Sequence, residues 1–157
     1  MNDQSKIQNP KSQMNDQSKI QNLKSNIAVV GMGRGWHTLE LQRALEARGH
    51  RCAVLPIRGM QMQLDRGMRL INRGVDLATY DAVVVRIIPR GSLEQTIFRI
   101  DALHLLERQG VRVINSAQTI ERTVDKLYTT GLLKQAGLPT PRTVVCERSD
   151  DALEAWA

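Results

Sequence analysis

Arginine, lysine and glycine, more than acids, carry the chemistry that this chain can offer. Arg86 and Arg90 bracket Ile87-Ile88-Pro89 directly after the apolar run Ala82–Val85. A guanidinium is a planar fork of N–H donors that matches a carboxylate or a phosphate. Lys126 is one of only two lysines beyond residue 26, in a body that otherwise uses arginine. Its compact ammonium on a flexible stem suits a phosphate oxygen. Gly31-Met32-Gly33-Arg34-Gly35-Trp36 follows another apolar run and could bring backbone N–H groups up to an anion, with Arg34 beside it. All of this is anion-binding chemistry. Acids show no metal-ligand spacing, and Cys52 and Cys146 stand far apart, which predicts two reduced, packed thiols. His37 and His50 have no partners in sequence, and His104 reads as a hydrogen-bonded boundary residue.

The elements that must position these residues alternate strand and helix. Asn26–Val30, Arg51–Ile57, Ala82–Val85 and Val111–Ile114 are apolar without alternation, as strands buried on both faces are. A helix from about His37 to Arg48 is stopped by Gly49. Another is opened by Ser92 and Gln95 as a capping box and ends at Gly110, with Leu93, Ile97 and Ile100 on its core face. Asn115-Ser116 closes the fourth strand, and the Ser116 hydroxyl can cap a short helix. A further helix spans Asp125 to Ala136, with Tyr128, Leu132 and Ala136 on one face. Gly137, Pro139 and Pro141 end it, and Arg142–Cys146 reads as a new strand. An acid-rich turn at Asp150-Asp151 opens a last helix. Residues 58–74 repeat Arg-Gly and read as an irregular crossover with solvated arginines, a substrate-facing flap being the alternative. The fold class expected is α/β, with a small parallel sheet of about four strands, Rossmann- or flavodoxin-like, and right-handed crossovers. In such sheets ligands bind beyond the carboxyl ends of the strands, which is where Arg86 and Arg90 leave theirs.

Composition removes several classes of function. The formal charge is +6, of which residues 1–26 give +2, from four lysines against two aspartates. The rest is scattered arginine, and aromatics are only 3%, too few for a base-stacking surface, so nucleic-acid binding is disfavoured. Residues 1–26 are a tandem repeat, MNDQSKIQNPKSQ then MNDQSKIQNLKSN, too polar to bury a face, and are expected to be a disordered, dispensable leader. No apolar run approaches the ~20 residues of a membrane span, and no secretory h-region is present, so cytoplasmic residence is expected.

Taken in order, Asp81–Ile88 (DAVVVRII), Ile114-Asn115-Ser116, Asp125-Lys126-Leu127 and Leu132–Pro141 (LLKQAGLPTP) resemble the N-terminal part and domain join of ATP-grasp ligases. The likeness is to the RimK-like ligases, which add glutamate to a carboxylate with consumption of ATP. It implies a pre-ATP-grasp domain over residues 27–116. Residues 117–157 would hold the hinge helices and the start of a truncated ATP-grasp domain. It also implies ATP and Mg2+ in the complete enzyme, with a carboxylate acceptor and glutamate as substrates. The resemblance leaves the acceptor open among a pterin-type cofactor, a protein C-terminus and other carboxylates, overall likeness pointing to the pterin type. Lys126 becomes the candidate contact to an ATP phosphate; Arg86, Arg90, Ser116 and Arg34 become candidates for the substrate side. The family's glycine-rich phosphate cover and magnesium carboxylates have no match here, so the chain alone is expected to be inactive.

Two other readings stand beside this one. The first is a stand-alone α/β binding or interaction module without catalysis. The second is a Rossmann NAD(P)-binding protein, against which Trp36 occupies the third glycine position of G-x-G-x-x-G and no acid ends the second strand.

Overall fold

The computed structural model describes residues 24–156. The repeat expected to be a disordered leader lies, through residue 23, outside the described residues.

Four strands form the parallel sheet: β1 (Asn26–Gly31), β2 (Arg51–Pro56), β6 (Ala82–Val85) and β7 (Arg112–Ile114). Their order is β2-β1-β6-β7, with Ile27 opposite both Cys52 and Ala82, and Val83 opposite Val113. The chain leaves β1 toward one edge and later returns to its other side, so the switch point lies between β1 and β6. Helix α1 (Trp36–Glu46) links β1 to β2, and α2 (Leu93–Arg108) links β6 to β7. Gly49 closes the chain after α1 with a left-handed φ of 84°, and His50 N donates back to the Leu45 carbonyl.

Residues 58–74 are a correction to the irregular crossover. They hold β3 (Met60–Gln63) and β4 (Arg69–Asn72), which continue into β5 (Val75–Asp76) as a three-stranded antiparallel sheet. Met60 and Met62 alternate with Gln61 and Gln63, and the Met residues turn inward. Arg73-Gly74, with φ of 49° and 82°, makes the two-residue turn between β4 and β5. Positive φ at both central residues is the type I′ signature that suits strand twist.

The core lies where this small sheet and α2 meet the parallel sheet. Val30, Val83 and Val113 pack with Leu70, Leu77, Leu103 and Leu106 in one cluster. Truncating a fully buried leucine such as Leu103 to Ala costs about 2–5 kcal/mol in such settings.

The core face of α2 also differs from expectation. Arg99, Ile100, Ala102, Leu103 and Leu106 are buried, while Leu93 and Ile97 are exposed. The cause is length. A helix of 16 residues is about 24 Å long, and a strand of 4 residues covers only about 13 Å. The first turns of α2 therefore overhang the sheet.

Three helices follow: α3 (Ala117–Val124), α4 (Lys126–Gln135) and α5 (Ser149–Trp156). Asp125 caps α4 by accepting from Tyr128 N at 2.9 Å. Gly137 (φ 74°) closes it, with Leu138 N donating to the Leu133 carbonyl. No residue of α4 is buried. Arg142–Cys146 forms no strand, against expectation. A strand takes its stability from backbone partners, and this segment pairs with no neighbour among the described residues, leaving Val144 and Val145 exposed. Among the described residues no helix is long and apolar enough to cross a membrane.

Candidate functional site

The β6–α2 loop, residues 86–92, is built by opposed demands. Backbone pairing ends at Val85, although Arg86 N still donates to the Val30 carbonyl at 2.8 Å. Pro89 cannot donate and breaks the ladder. Ser92 then caps α2, its hydroxyl accepting from Gln95 N while Gln95 Oε1 accepts from Ser92 N. The loop is thereby held at both ends, with Arg86 and Arg90 exposed along it.

Beneath it the β7–α3 junction supplies a second wall. Ser116 accepts from Thr119 N at 3.2 Å as the cap of α3. Glu107 of α2 accepts from Ala117 N, and His104 Nε2 lies 3.1 Å from Glu121 Oε2, so α2 and α3 are fastened side by side. His104 is thus the boundary residue that was expected. Lys126 comes up from the start of α4, donating from Nζ to the Thr123 carbonyl at 3.0 Å. An ammonium has three N–H groups, so donors remain for a ligand.

These walls enclose a cleft of about 600 Å³ at the carboxyl ends of β6 and β7. Arg86, Arg90 and Lys126 line it together, with Asn115, Thr96 and Thr123 between them. Among the described residues no carboxylate forms an ion pair with any of the three cations. The cleft is built to accept negative charge. Thr123 was not singled out from sequence; Asn115 stood in the Ile114-Asn115-Ser116 motif but was not named as a site residue.

Arg34 and Ser116 do not line this cleft. Arg34 is exposed in the β1–α1 loop, and Ser116 is engaged as a helix cap. The glycine loop closes on protein: the buried Thr38 hydroxyl lies 2.7 Å from the carbonyl oxygens of both Gly33 and Gly35. A Cβ at residue 31 would come within 3.0 Å of Thr38 Cγ2, so glycine there lets α1 seat against β1. A small hollow of about 160 Å³ beside Trp36 shares Arg86 with the larger cleft.

Cys52, at the amino end of β2, lines neither hollow. Burial, and then the Glu46 carboxylate, push the Cys52 thiol above its ordinary 9.0, which disfavours the thiolate. Among the described residues no three His, Cys, Asp or Glu side chains converge as a metal group. The described residues therefore offer no cage for a magnesium ion, and no step through the metal is derived.

Comparison with known proteins places this sequence and fold in a family. The family model of the RimK PreATP-grasp domain matches residues 26–120. The chain belongs to this family. Among curated relatives, the tetrahydromethanopterin:alpha-L-glutamate ligase of Methanosarcina acetivorans is 40% identical over 79 residues, covering 50% of this chain and 24% of the relative. A probable alpha-L-glutamate ligase of Vibrio vulnificus is 31% identical over 117 residues, covering 74% of this chain and 38% of the relative. This RimK pre-ATP-grasp chain thus spans only 24% to 38% of the length of these ligases.

The fold agrees. An ATP-grasp RimK domain protein of Sphaerobacter thermophilus superposes with a TM-score of 0.64 at 21% identity, over 83% of this chain and 44% of its own. The ATP-grasp ligase PsnB, complexed with a minimal precursor, does so with a TM-score of 0.61 at 23% identity, over 85% and 50%. Identities this low speak for the fold, and the RimK family assignment rests on the sequence matches.

Proposed function

We propose that the chain forms the acceptor-binding wall and hinge of an ATP-dependent carboxylate–amine ligase that adds glutamate. The observation that carries this is the meeting of Arg86, Arg90 and Lys126 in one cleft, unopposed by acids. Arg86 and Arg90 hold the acceptor carboxylate, and Lys126 contacts a nucleotide phosphate. Arg34 and Ser116 remain as outlying substrate candidates. Residues 27–116 constitute the pre-ATP-grasp domain, and residues 117–157 the hinge helices and the beginning of an ATP-grasp domain. Exposed Leu127, Tyr128, Leu138, Val144, Val145 and Leu153 on that segment support this division, because a run of apolar side chains in water calls for cover.

In the reaction, an acceptor carboxylate oxygen takes a phosphoryl group as ADP leaves, and the glutamate amine attacks the acyl carbon, expelling phosphate and losing a proton. Positioning and charge stabilisation provide nearly all the acceleration in phosphoryl transfer. Here the two guanidiniums would fix the acceptor, and Lys126 would offset charge on the transferred group. The acceptor is read as pterin-type from the name of the Methanosarcina relative. A PsnB structure holds Mg and ADP, which supports nucleotide and magnesium in the complete enzyme. Among the described residues no group of acids could hold the metal, and the chain alone is expected to show no turnover.

The test is a fusion of this chain to the remaining part of the Vibrio vulnificus relative. ADP release that requires both glutamate and a carboxylate acceptor, and that falls in Arg86→Ala, supports the assignment. A folded fusion that binds Mg-ATP but releases no ADP favours the stand-alone binding module.

A further inference from the structure

Arg99 is a mostly buried charged side chain engaged on one side only, its remaining N–H groups open to a cavity. It lies in the second turn of α2 and is only 6% exposed. Burying an ion costs several kcal/mol unless its polar atoms are satisfied. Its Nη1 donates to the Pro89 carbonyl at 2.9 Å. No other hydrogen bond and no carboxylate within ion-pair distance engages it among the described residues.

The guanidinium borders a cavity of about 420 Å³ between the turn after β2 and the overhanging start of α2. Buried Ile57 and Met60 form its apolar wall, exposed Arg58 its rim, and Gln95 its far side. Gln95 spends its Oε1 on the α2 cap, which leaves the amide nitrogen as a donor. Two arginines and an amide side chain therefore line one cavity beside an apolar wall, where hydrogen bonds to an ion are stronger than in water. Gly91 makes the arrangement possible. A Cβ there would lie 2.9 Å from Arg99 Nη1 and 2.5 Å from Gln95 Oε1.

The cavity is separate from the Arg86–Arg90–Lys126 cleft. Pro89 divides them: it lines the cleft, while its carbonyl faces Arg99. We propose that the Arg58–Arg99 cavity is a second anion subsite that takes one oxyanion group, a carboxylate or a phosphate. Resting on the ligase reading above, the acceptor carries at least two acidic groups. One reacts in the cleft, and the other anchors the molecule across the Pro89–Gly91 loop.

The site can be read without turnover, so its failure and that of the ligase reading are distinguishable. Isotope-labelled chain is titrated with inorganic phosphate and, separately, with acetate, following the Nε–H signal of Arg99 and the side-chain amide of Gln95. Saturable shifts are expected with at least one anion, and which one it is names the source chemistry. Arg58→Gln should weaken that binding by about tenfold or more. Arg99→Lys should abolish the bidentate fit, and if that variant does not fold, Arg58→Gln still decides. Absence of a saturable shift with either anion, or unchanged affinity in Arg58→Gln, overturns the proposal.

Discussion

The side-chain amide of Asn72 donates to the carbonyl oxygen of Pro56 at 2.9 Å, tying the antiparallel sheet to the end of β2. Asn72 is fully buried, and its Oδ1 has no partner. Gly59 sits against that oxygen, where a Cβ would come within 2.9 Å. The tie thus holds the turn that carries Arg58. Asn72→Ala should destabilise the fold by about 1–3 kcal/mol, because it leaves the Pro56 carbonyl without its donor. Urea-induced unfolding measures this, and a loss under about 0.5 kcal/mol would show that the sheets are held together elsewhere.

Arg86 and Arg90 are exposed, so their removal should spare the fold and strike binding. In the fusion ligase, Arg86→Ala and Arg90→Ala should each lower kcat/KM for the acceptor about tenfold or more, roughly 1.4 kcal/mol of lost charge-assisted hydrogen bonding. Thermal unfolding should stay unchanged. If both variants keep full kcat/KM, the cleft is not the acceptor site.

Lys126 has two roles that can be separated. As a partner of the Thr123 carbonyl it steadies the end of α3; as a phosphate contact it serves the nucleotide. Lys126→Met in the fusion should raise KM for ATP or lower turnover by more than any change in stability explains. A variant with altered melting temperature but unaltered kinetics would leave only the capping role.

The chain by itself should show no ATP hydrolysis. One lysine does not replace the several convergent contacts that hold a magnesium–nucleotide, so binding no tighter than millimolar, on the order of −4 kcal/mol, is expected. Isothermal titration with Mg-ATP checks this. Micromolar affinity would mean that the chain is a self-contained nucleotide-binding domain.

Asp76 gives the small sheet a pH dependence. Burial alone would raise its pKa, but the hydrogen bond from Arg69, the N–H of Ala78 and the Arg69 charge together hold it below the ordinary 3.8. The fold therefore favours the ionised form. Its contribution is complete above the unfolded value and is lost as pH falls through the folded one. Between about pH 5 and about pH 3, Asp76→Asn should flatten the loss of stability relative to the unaltered chain. Identical acid profiles for the two would remove Asp76 from the account.

Much of this was legible because it is local. Unbroken apolar runs at Asn26–Val30 and Ala82–Val85 mark strands buried on both faces, and Ser92, Ser116, Asp125 and Gly137 mark helix ends through atoms within five residues. Even the hairpin at Arg73-Gly74 left a trace in the Met-Gln alternation before it. That trace lay unread because arginines dominate the segment and a period of two over four residues is weak.

Other features depend on distances between elements, which no local pattern encodes. Leu93 and Ile97 share the spacing of Ile100, yet only the third meets the sheet, because helix length exceeds strand length there. Arg142–Cys146 has strand-forming residues but no neighbour to bond. Residue types alone determined that this is an α/β chain with anion-binding cations at strand ends, since burial and charge act residue by residue. The tertiary structure decided which cations share a cavity: Arg86, Arg90 and Lys126 in one, Arg58 and Arg99 in the other, with Arg34 in neither. That partition follows from where Pro89 and Gly91 carry the loop across the sheet's edge, and a path through space is set by packing.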